Sequence, residues 1–251
     1  MQPRLPKWRN YLTAALVLGL LVFFLWNLLG PKLAAFWGSS DFGWPRATAP
    51  AELTQEVAEA FERIEVRQND REAGPYRREV FGKAWADENH NGCDTRNDVL
   101  ARDLGQVKFA RGNCKVASGV LAEPYTGEIW QFQRGPKTSD LIQIDHVVAL
   151  GDAWRSGAWR WELPKRQRFA NDPLNLLAVS GQANQDKGSA PANLWLPPNQ
   201  AFHCDYVLRQ IAVKSKWGLN ATKAEKQSWL QVLKACPGKA LPTEAAQLPA
   251  E

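Results

Sequence analysis

The sequence predicts an α+β domain that follows one N-terminal transmembrane helix. Residues 10–31 carry no charge and are almost wholly apolar, and a helix of that length can cross a bilayer core of about 30 Å. The rest of the chain mixes apolar residues at helical spacing with segments rich in β-branched residues, and it shows no internal repeat. We therefore divide the 251 residues into a basic N-terminus at 1–9, an anchor at 10–31, a linker at 32–50 and one domain at 51–251.

Charge places that domain outside the cytoplasm. Arg4, Lys7 and Arg9 precede the apolar segment, and Asp41 is the first acidic residue, so the positive-inside rule keeps the N-terminus cytoplasmic. A cleaved signal peptide is the alternative, although its apolar region is typically shorter and ends at a small-x-small site. Both alternatives place the domain outside the cytoplasm. The membrane is a partner only if the apolar segment is not cleaved.

The four cysteines agree with an oxidising compartment. They form no CxxC pair, the close spacing that structural zinc sites require. Two disulfides are therefore expected. Of the three possible connectivities, the simplest joins neighbours in sequence, Cys93 to Cys114 and Cys204 to Cys236, and each loop would contribute roughly 3 kcal/mol.

The net charge of +5 says little about partners. Four of the 31 basic residues and none of the 26 acidic ones lie in residues 1–40, so the remaining chain carries only +1. A phosphate-binding surface must therefore be local.

The first half of the domain predicts two helices and a sheet. Apolar residues at helical spacing predict a helix at about 51–65. A second, at 95–104, would be capped by Asp94 or Thr95. The alternation between 107 and 133 predicts β-strands around a turn at 124–127.

The second half predicts the elements around the candidate site. A strand at 141–150 leads into a short helix near 151–158, and a second strand at 175–179 leads into a polar helix that opens near Ser180. Two helices follow at about 198–216 and 222–235. Thr222 and Glu225 have the spacing of a capping box at the start of the last one.

Chemistry-bearing residues follow these elements in a fixed order. Asp145 and His146 lie in the first strand, Asn175 opens the second strand, and Asn184 and Lys187 lie in the polar helix. A histidine with an ordinary pKa near 6.5 can take a proton from water near neutral pH. Adjacent strand residues point to opposite faces, so Asp145 and His146 would need a local twist or bulge to share one site.

Four motifs carry a family resemblance: GCDTRNDVLARDL, PYTG, IDHVVALGDAW and NDPLNLLAVSGQANQDKG. Because of these four motifs, the chain resembles the HNH endonucleases of the ββα-metal (His-Me finger) superfamily. More narrowly, it is similar to secreted actinobacterial HNH proteins related to the C-terminal domain of GmrSD restriction enzymes. The resemblance covers about 85–236 and implies a ββα-metal core, here with an added β-hairpin and C-terminal helices.

The resemblance also implies roles for the ordered residues. Asp145 would ligate a divalent ion, His146 would be the general base, Asn175 would orient the His146 ring and Asn184 would be the second metal ligand. Lys187 falls on the same helical face as Asn184 and would contact the scissile or an adjacent phosphate. Many members have His where this chain has Asn184. Two oxygen ligands favour Mg²⁺, with Mn²⁺ or Zn²⁺ as alternatives.

Further basic residues are candidates for nucleic-acid contact. The stretch 154–169 interleaves three tryptophans with five basic residues, namely Arg155, Arg160, Lys165, Arg166 and Arg168. These would hold a phosphate backbone without base specificity, or they form a solvated face over core tryptophans. Arg96 either reaches the site or supports the fold beside Cys93.

The sequence therefore predicts an extracytoplasmic, metal-dependent endonuclease that acts on nucleic acid, with DNA favoured, with little sequence specificity and without a small-molecule cofactor. A second hypothesis is a catalytically inactive envelope domain of the same fold that binds nucleic acid or protein. A third is a metal hydrolase of cell-envelope polymers. Loss of cleavage in His146→Ala would separate the first hypothesis from the second.

Overall fold

The computed structural model of the protein describes residues 53–68 and 73–243. All of these fall within one structural unit, residues 47–251. The predicted anchor and linker lie outside the described residues. In the described ranges, no helix has the length and apolar character needed to cross a membrane.

The predicted α+β class is confirmed. In the described ranges the helices are α1 (Gln55–Arg63), α2 (Thr95–Asp103), α3 (Leu150–Arg155), α4 (Leu163–Ala170), α5 (Gly181–Lys187), α6 (His203–Trp217) and α7 (Lys223–Leu233). The strands are β1 (Gly105–Phe109), β2 (Val116–Ala122), β3 (Ile129–Gln133), β4 (Ile142–His146) and β5 (Leu176–Ser180).

The strands form two antiparallel sheets. One has the order β1-β2-β3, and the other pairs β4 with β5. Because α5 follows β5 directly, β4, β5 and α5 make a ββα unit. On the outer side of β5, the Asp103 carboxylate accepts a hydrogen bond from the Ala178 amide at 2.8 Å. No strand among the described residues pairs with the outer edge of β4.

The β4–β5 pair is buried on both faces. Ile144, Leu176 and Ala178 pack with α2 and the three-stranded sheet. Leu177 and Val179, on the opposite face, pack in the cluster formed by α1, α6 and α7. This explains why β5 is apolar along most of its length instead of alternating with polar residues.

Local signals fix several boundaries as predicted. The Asp94 carboxylate caps α2 by accepting a hydrogen bond from the Asn97 amide at 2.8 Å. Thr222 and Glu225 form the capping box of α7. Both predicted disulfides are confirmed, one from Cys93 to Cys114 and the other from Cys204 to Cys236.

Three predicted boundaries are wrong. The first helix begins only at Gln55, behind the N-cap Thr54, and ends at Arg63. The strand predicted at 141–150 ends at His146, and α3 begins at Leu150. The helix predicted from about 198 begins at His203, because Asn199 caps a separate 3₁₀ turn at Gln200–Phe202.

A buried ionic cluster joins the helices behind the ββα unit. The Lys214 ammonium lies 2.8 Å from an Asp152 oxygen and 2.7 Å from a Glu225 oxygen. Burial raises the pKa of Glu225 to about 7, although Lys214 opposes the shift. Burial alone would raise the pKa of Asp152 too, but Lys214 and Arg67 lower it. The cluster links α3, α6 and α7.

The cluster makes stability depend on pH. The pKa of Glu225 is higher in the folded protein than in the unfolded chain, so its contribution is present below its ordinary pKa and is lost as pH rises through about 7. Above about pH 5, Asp152 is ionised in the folded and in the unfolded protein, so it does not make the free energy of unfolding depend on pH in that range. Urea unfolding from about pH 5 to about pH 8 should show the wild type losing stability relative to Glu225→Gln. A constant difference between the two proteins would contradict this assignment.

Candidate active site

A cavity of about 430 Å³ lies beside β4. Gln143, Ile144, Asp145 and His146, four consecutive residues, all line it. The cavity therefore follows the unpaired edge of the strand rather than one face. The pairing of β4 with β5 is regular from Ile142 to His146. Of the expected local twist or bulge, the register of this pair shows no bulge, and residues on both faces meet at the open edge.

The Asp145 carboxylate is held by two buried donors. One oxygen accepts a hydrogen bond from the Lys187 ammonium at 2.9 Å, and the other accepts one from the Tyr125 hydroxyl at 2.5 Å. Lys187 also donates to the His146 carbonyl oxygen at 2.7 Å. Its side chain is fully buried, so the predicted contact of Lys187 with a phosphate is wrong. The ammonium compensates the charge of a carboxylate that α5 covers.

Tyr125 and Glu123 support the candidate site and were not predicted from the sequence. Tyr125 belongs to the PYTG turn, and burial raises the pKa of its hydroxyl well above the ordinary value, with the Asp145 charge adding to the effect. The hydroxyl therefore stays protonated and donates. The buried Glu123 carboxylate accepts hydrogen bonds from the amides of Tyr125 and Ser180, each at 3.0 Å. The signal available in the sequence was an acidic residue, Glu123, directly after the apolar strand β2.

His146 is buried and neutral. Its Nε2 lies 2.8 Å from the Ala170 carbonyl oxygen, so Nε2 carries the hydrogen and Nδ1 is left as an acceptor. Its ring stacks on Trp85, with ring centroids 6.2 Å apart and an angle of 18° between the planes. Burial lowers the pKa of His146 to about 4, against an opposing effect of the Ala170 carbonyl, while Arg78 adds to the lowering. The ring is therefore in the form that accepts a proton.

Asn175 holds the backbone that follows His146, and not its ring. Its side-chain oxygen accepts a hydrogen bond from the Val148 amide at 2.8 Å, and its side-chain nitrogen donates to the Val148 carbonyl at 3.1 Å. The predicted contact with the ring is wrong, because Ala170 and Trp85 hold the ring instead. By engaging both backbone groups of Val148, Asn175 sets where β4 ends. It also lies in a 3₁₀ turn at Pro173–Asn175, one residue before β5.

Asn184 and Arg96 also line the cavity. The Asn184 side-chain nitrogen donates to the Gln143 side-chain oxygen at 2.9 Å, so its side-chain oxygen is the atom that could bind a cation. Arg96 donates to the carbonyl oxygens of Ser139 and Ile142, each at 3.0 Å. Arg96 thus supports the start of β4 and faces the site at the same time.

The donor set fits a hard divalent cation. Asp145 and Asn184 supply a carboxylate and an amide oxygen, which suit Mg²⁺ or Mn²⁺ better than Zn²⁺. Each Asp145 oxygen accepts one hydrogen bond and retains a second lone pair. The described residues contain no group of three or more His, Cys, Asp or Glu that could hold a metal ion. Most ligands of a cation here would therefore come from water and from substrate oxygens.

The basic stretch at 154–169 does not line this cavity. Its five basic residues are Arg155, Arg160, Lys165, Arg166 and Arg168, and none of them lines the cavity wall that the structure describes. Arg155 donates to the carbonyl of Ser189, a cavity residue, at 2.9 Å. Arg166 is bound to the Val80 carbonyl at 2.6 Å. Arg160 and Lys165 lie over tryptophan rings, and Arg168 lines another cavity.

The fold and the site define an α+β domain with a ββα unit that places a neutral histidine beside a buried carboxylate. The model of the family "GmrSD restriction endonucleases, C-terminal domain" matches residues 94–232. The chain belongs to this family.

A fungal protein is similar over much of the same region. The chain is 42% identical over 146 residues to a protein of Arthroderma benhamiae named "Uncharacterized secreted protein". The match covers 57% of this chain and 68% of the fungal protein. No solved structure matches the chain.

The buried pair of Lys187 and Asp145 yields a stability prediction. Lys187→Met removes one partner and leaves a buried charge uncompensated, so it should lower the free energy of unfolding by about 3–5 kcal/mol. Adding Asp145→Asn should recover much of this loss. Urea unfolding measures both, with Lys137→Met, at an exposed lysine, as the control that changes stability by about 0.5 kcal/mol or less. Equal losses in the single and double variants would refute the pairing.

Proposed function

We propose that this protein is an HNH-type, metal-dependent endonuclease that hydrolyses phosphodiester bonds at the cavity along β4. One observation carries the proposal: the neutral, buried His146 has a free Nδ1 beside Asp145 in the ββα unit of a restriction-endonuclease family. His146 is the general base. Asp145 and Asn184 hold one divalent ion, with Mg²⁺ favoured by their oxygen donors.

The surrounding residues hold the base ready for proton transfer. The Ala170 carbonyl and the Trp85 ring fix the plane of the imidazole, so that Nδ1 takes the proton of a water that attacks phosphorus. Tyr125 and Lys187 hold Asp145 in place. The bound ion would supply countercharge for the negative charge that develops on the phosphate oxygens.

The favoured substrate is DNA, cut with little sequence specificity. The family name supports a nucleic-acid substrate. A domain with almost no net charge must hold the phosphate backbone through local basic groups, and such contacts carry no base information.

We place the domain outside the cytoplasm. Two disulfides support an oxidising compartment, and the fungal relative carries the word "secreted" in its name. Residues 10–31 would anchor the domain in the membrane, or the protein would be secreted if that segment is cleaved.

A binding domain without catalysis is the second candidate. The observation that favours it is the ion pair itself, because the Lys187 ammonium already compensates Asp145. Such a domain would keep nucleic-acid or protein binding when His146 is replaced.

Cleavage separates the two candidates. The full-length protein should nick supercoiled plasmid DNA and cut single-stranded DNA in Mg²⁺ or Mn²⁺ and not in EDTA, and His146→Ala should lower both rates by at least about 100-fold because the general base is lost. His90→Ala is the matched control, since His90 lies exposed in a surface loop. Cleavage that persists in His146→Ala, or no cleavage of either DNA with any ion, would move the assignment to the binding domain.

The metal role of Asn184 is testable without catalysis. Asn184→Ala should weaken Mn²⁺ binding, followed by electron paramagnetic resonance, by about tenfold or more because one of two protein ligands is lost. Gln182→Ala, at an exposed position of the same helix, should leave affinity unchanged. Equal affinities for both variants would remove Asn184 from the metal site.

A further inference from the structure

One wall of the active-site cavity comes from outside the family match. Tyr76, Arg78 and Trp85 line the cavity together with Asp145 and His146. The family model begins only at residue 94. This wall of the cavity therefore lies before the residues that the family model matches.

The backbone holds Trp85 in an uncommon conformation. Its φ is 56°, in the left-handed region that bulky side chains rarely adopt. The Asn171 side chain fixes the flanking residues, because it accepts a hydrogen bond from the Ala86 amide at 3.0 Å and donates to the Lys83 carbonyl at 3.2 Å. Strained conformations of this kind are concentrated at functional sites.

Trp85 and His146 stand between two cavities. Both residues, with Arg78, line the 430 Å³ cavity and also a second cavity of about 200 Å³. The Trp85 ring is only partly buried, and it stacks on the general base. A substrate strand with its phosphate at His146 would therefore pass beside an aromatic ring.

Arg78 supplies a positive charge at the same place. Its side chain is exposed, and no hydrogen bond or ion pair joins it to the residues that the structure describes. It lines the same cavity as Asp145 and His146. Glu79 lies beside it but lines only the smaller cavity. The larger cavity thus combines a guanidinium that can bind phosphate with aromatic faces.

We propose that Arg78 binds the phosphate next to the scissile one and that Trp85 stacks on an unpaired base of the same strand. This inference rests on the proposed function and names its substrate class: single-stranded or locally unpaired nucleic acid. In a duplex, each base face is covered by its neighbours, so an aromatic side chain can stack only on a base that has left the helix. Stacking accepts every base, in agreement with low sequence specificity.

Binding measurements test the aromatic part. Full-length protein carrying His146→Ala would be titrated with fluorescent single-stranded DNA, single-stranded RNA and duplex DNA. Adding Trp85→Ala should weaken single-strand binding by about 5- to 150-fold, the range found for one stacked base, and change duplex binding by less than about twofold. Trp159→Ala is the control, because Trp159 lines a cavity that shares no residue with the site. Comparison of the affinities for single-stranded DNA and single-stranded RNA decides which of the two nucleic acids is preferred.

Salt dependence tests the guanidinium. Arg78→Gln should reduce the slope of log affinity against log salt concentration by about one, as expected for a lost phosphate contact. Arg77→Gln makes the same charge change one residue away, at an exposed position that lines neither cavity, and should leave the slope unchanged.

Three results would overturn the proposal. Trp85→Ala could lower the affinity for single strands and for duplex DNA equally, or it could lower neither affinity. Arg77→Gln and Arg78→Gln could also give the same slope of log affinity against log salt concentration. If Trp85→Ala does not fold, Trp85→Leu decides, because it keeps apolar contact without an aromatic face. These tests measure binding, so they are independent of cleavage. If the protein prefers single strands but cuts no nucleic acid, the proposed endonuclease activity is refuted and the binding subsite at Arg78 and Trp85 is retained.

Discussion

The buried carboxylate of Asp145 is the constraint on which the site depends. A charge with so little solvent access requires partners, and two come from distant parts of the chain: Lys187 at the end of α5 and Tyr125 in the turn between β2 and β3. These contacts join the three-stranded sheet, the β4–β5 pair and α5 around one side chain. Because the Lys187 ammonium also binds the His146 carbonyl, the position of His146 follows from the same network.

The position of His146 and the orientation of its ring are set by residues that contact the neighbouring backbone and the ring. Asn175 engages both backbone groups of Val148 and so ends β4 directly after His146. Ala170 selects the ring nitrogen that carries hydrogen, and burial keeps the ring neutral. The result is a proton acceptor at the open edge of a strand, where residues from both faces reach one cavity.

Much of the fold could be predicted because its signals are local. The caps Asp94 and Thr222, the two disulfides and the β-rich runs depend on near neighbours or on cysteine count, and the structure confirms them. The roles of Lys187 and Asn175 could not be predicted, since they depend on contacts 42 and 27 residues away in sequence. Trp85 and Arg78 gave no periodic signal, because they lie in a turn-rich segment shaped by Asn171.

The sequence by itself determined the α+β class, the order of the chemistry-bearing residues and the two disulfides. Only the tertiary structure decided which partners those residues have. A side chain's type limits what it can bind, whereas burial and distance decide what it does bind. Lys187 illustrates the difference: an exposed lysine would suit a phosphate, but one buried 2.9 Å from a carboxylate is that carboxylate's counter-ion.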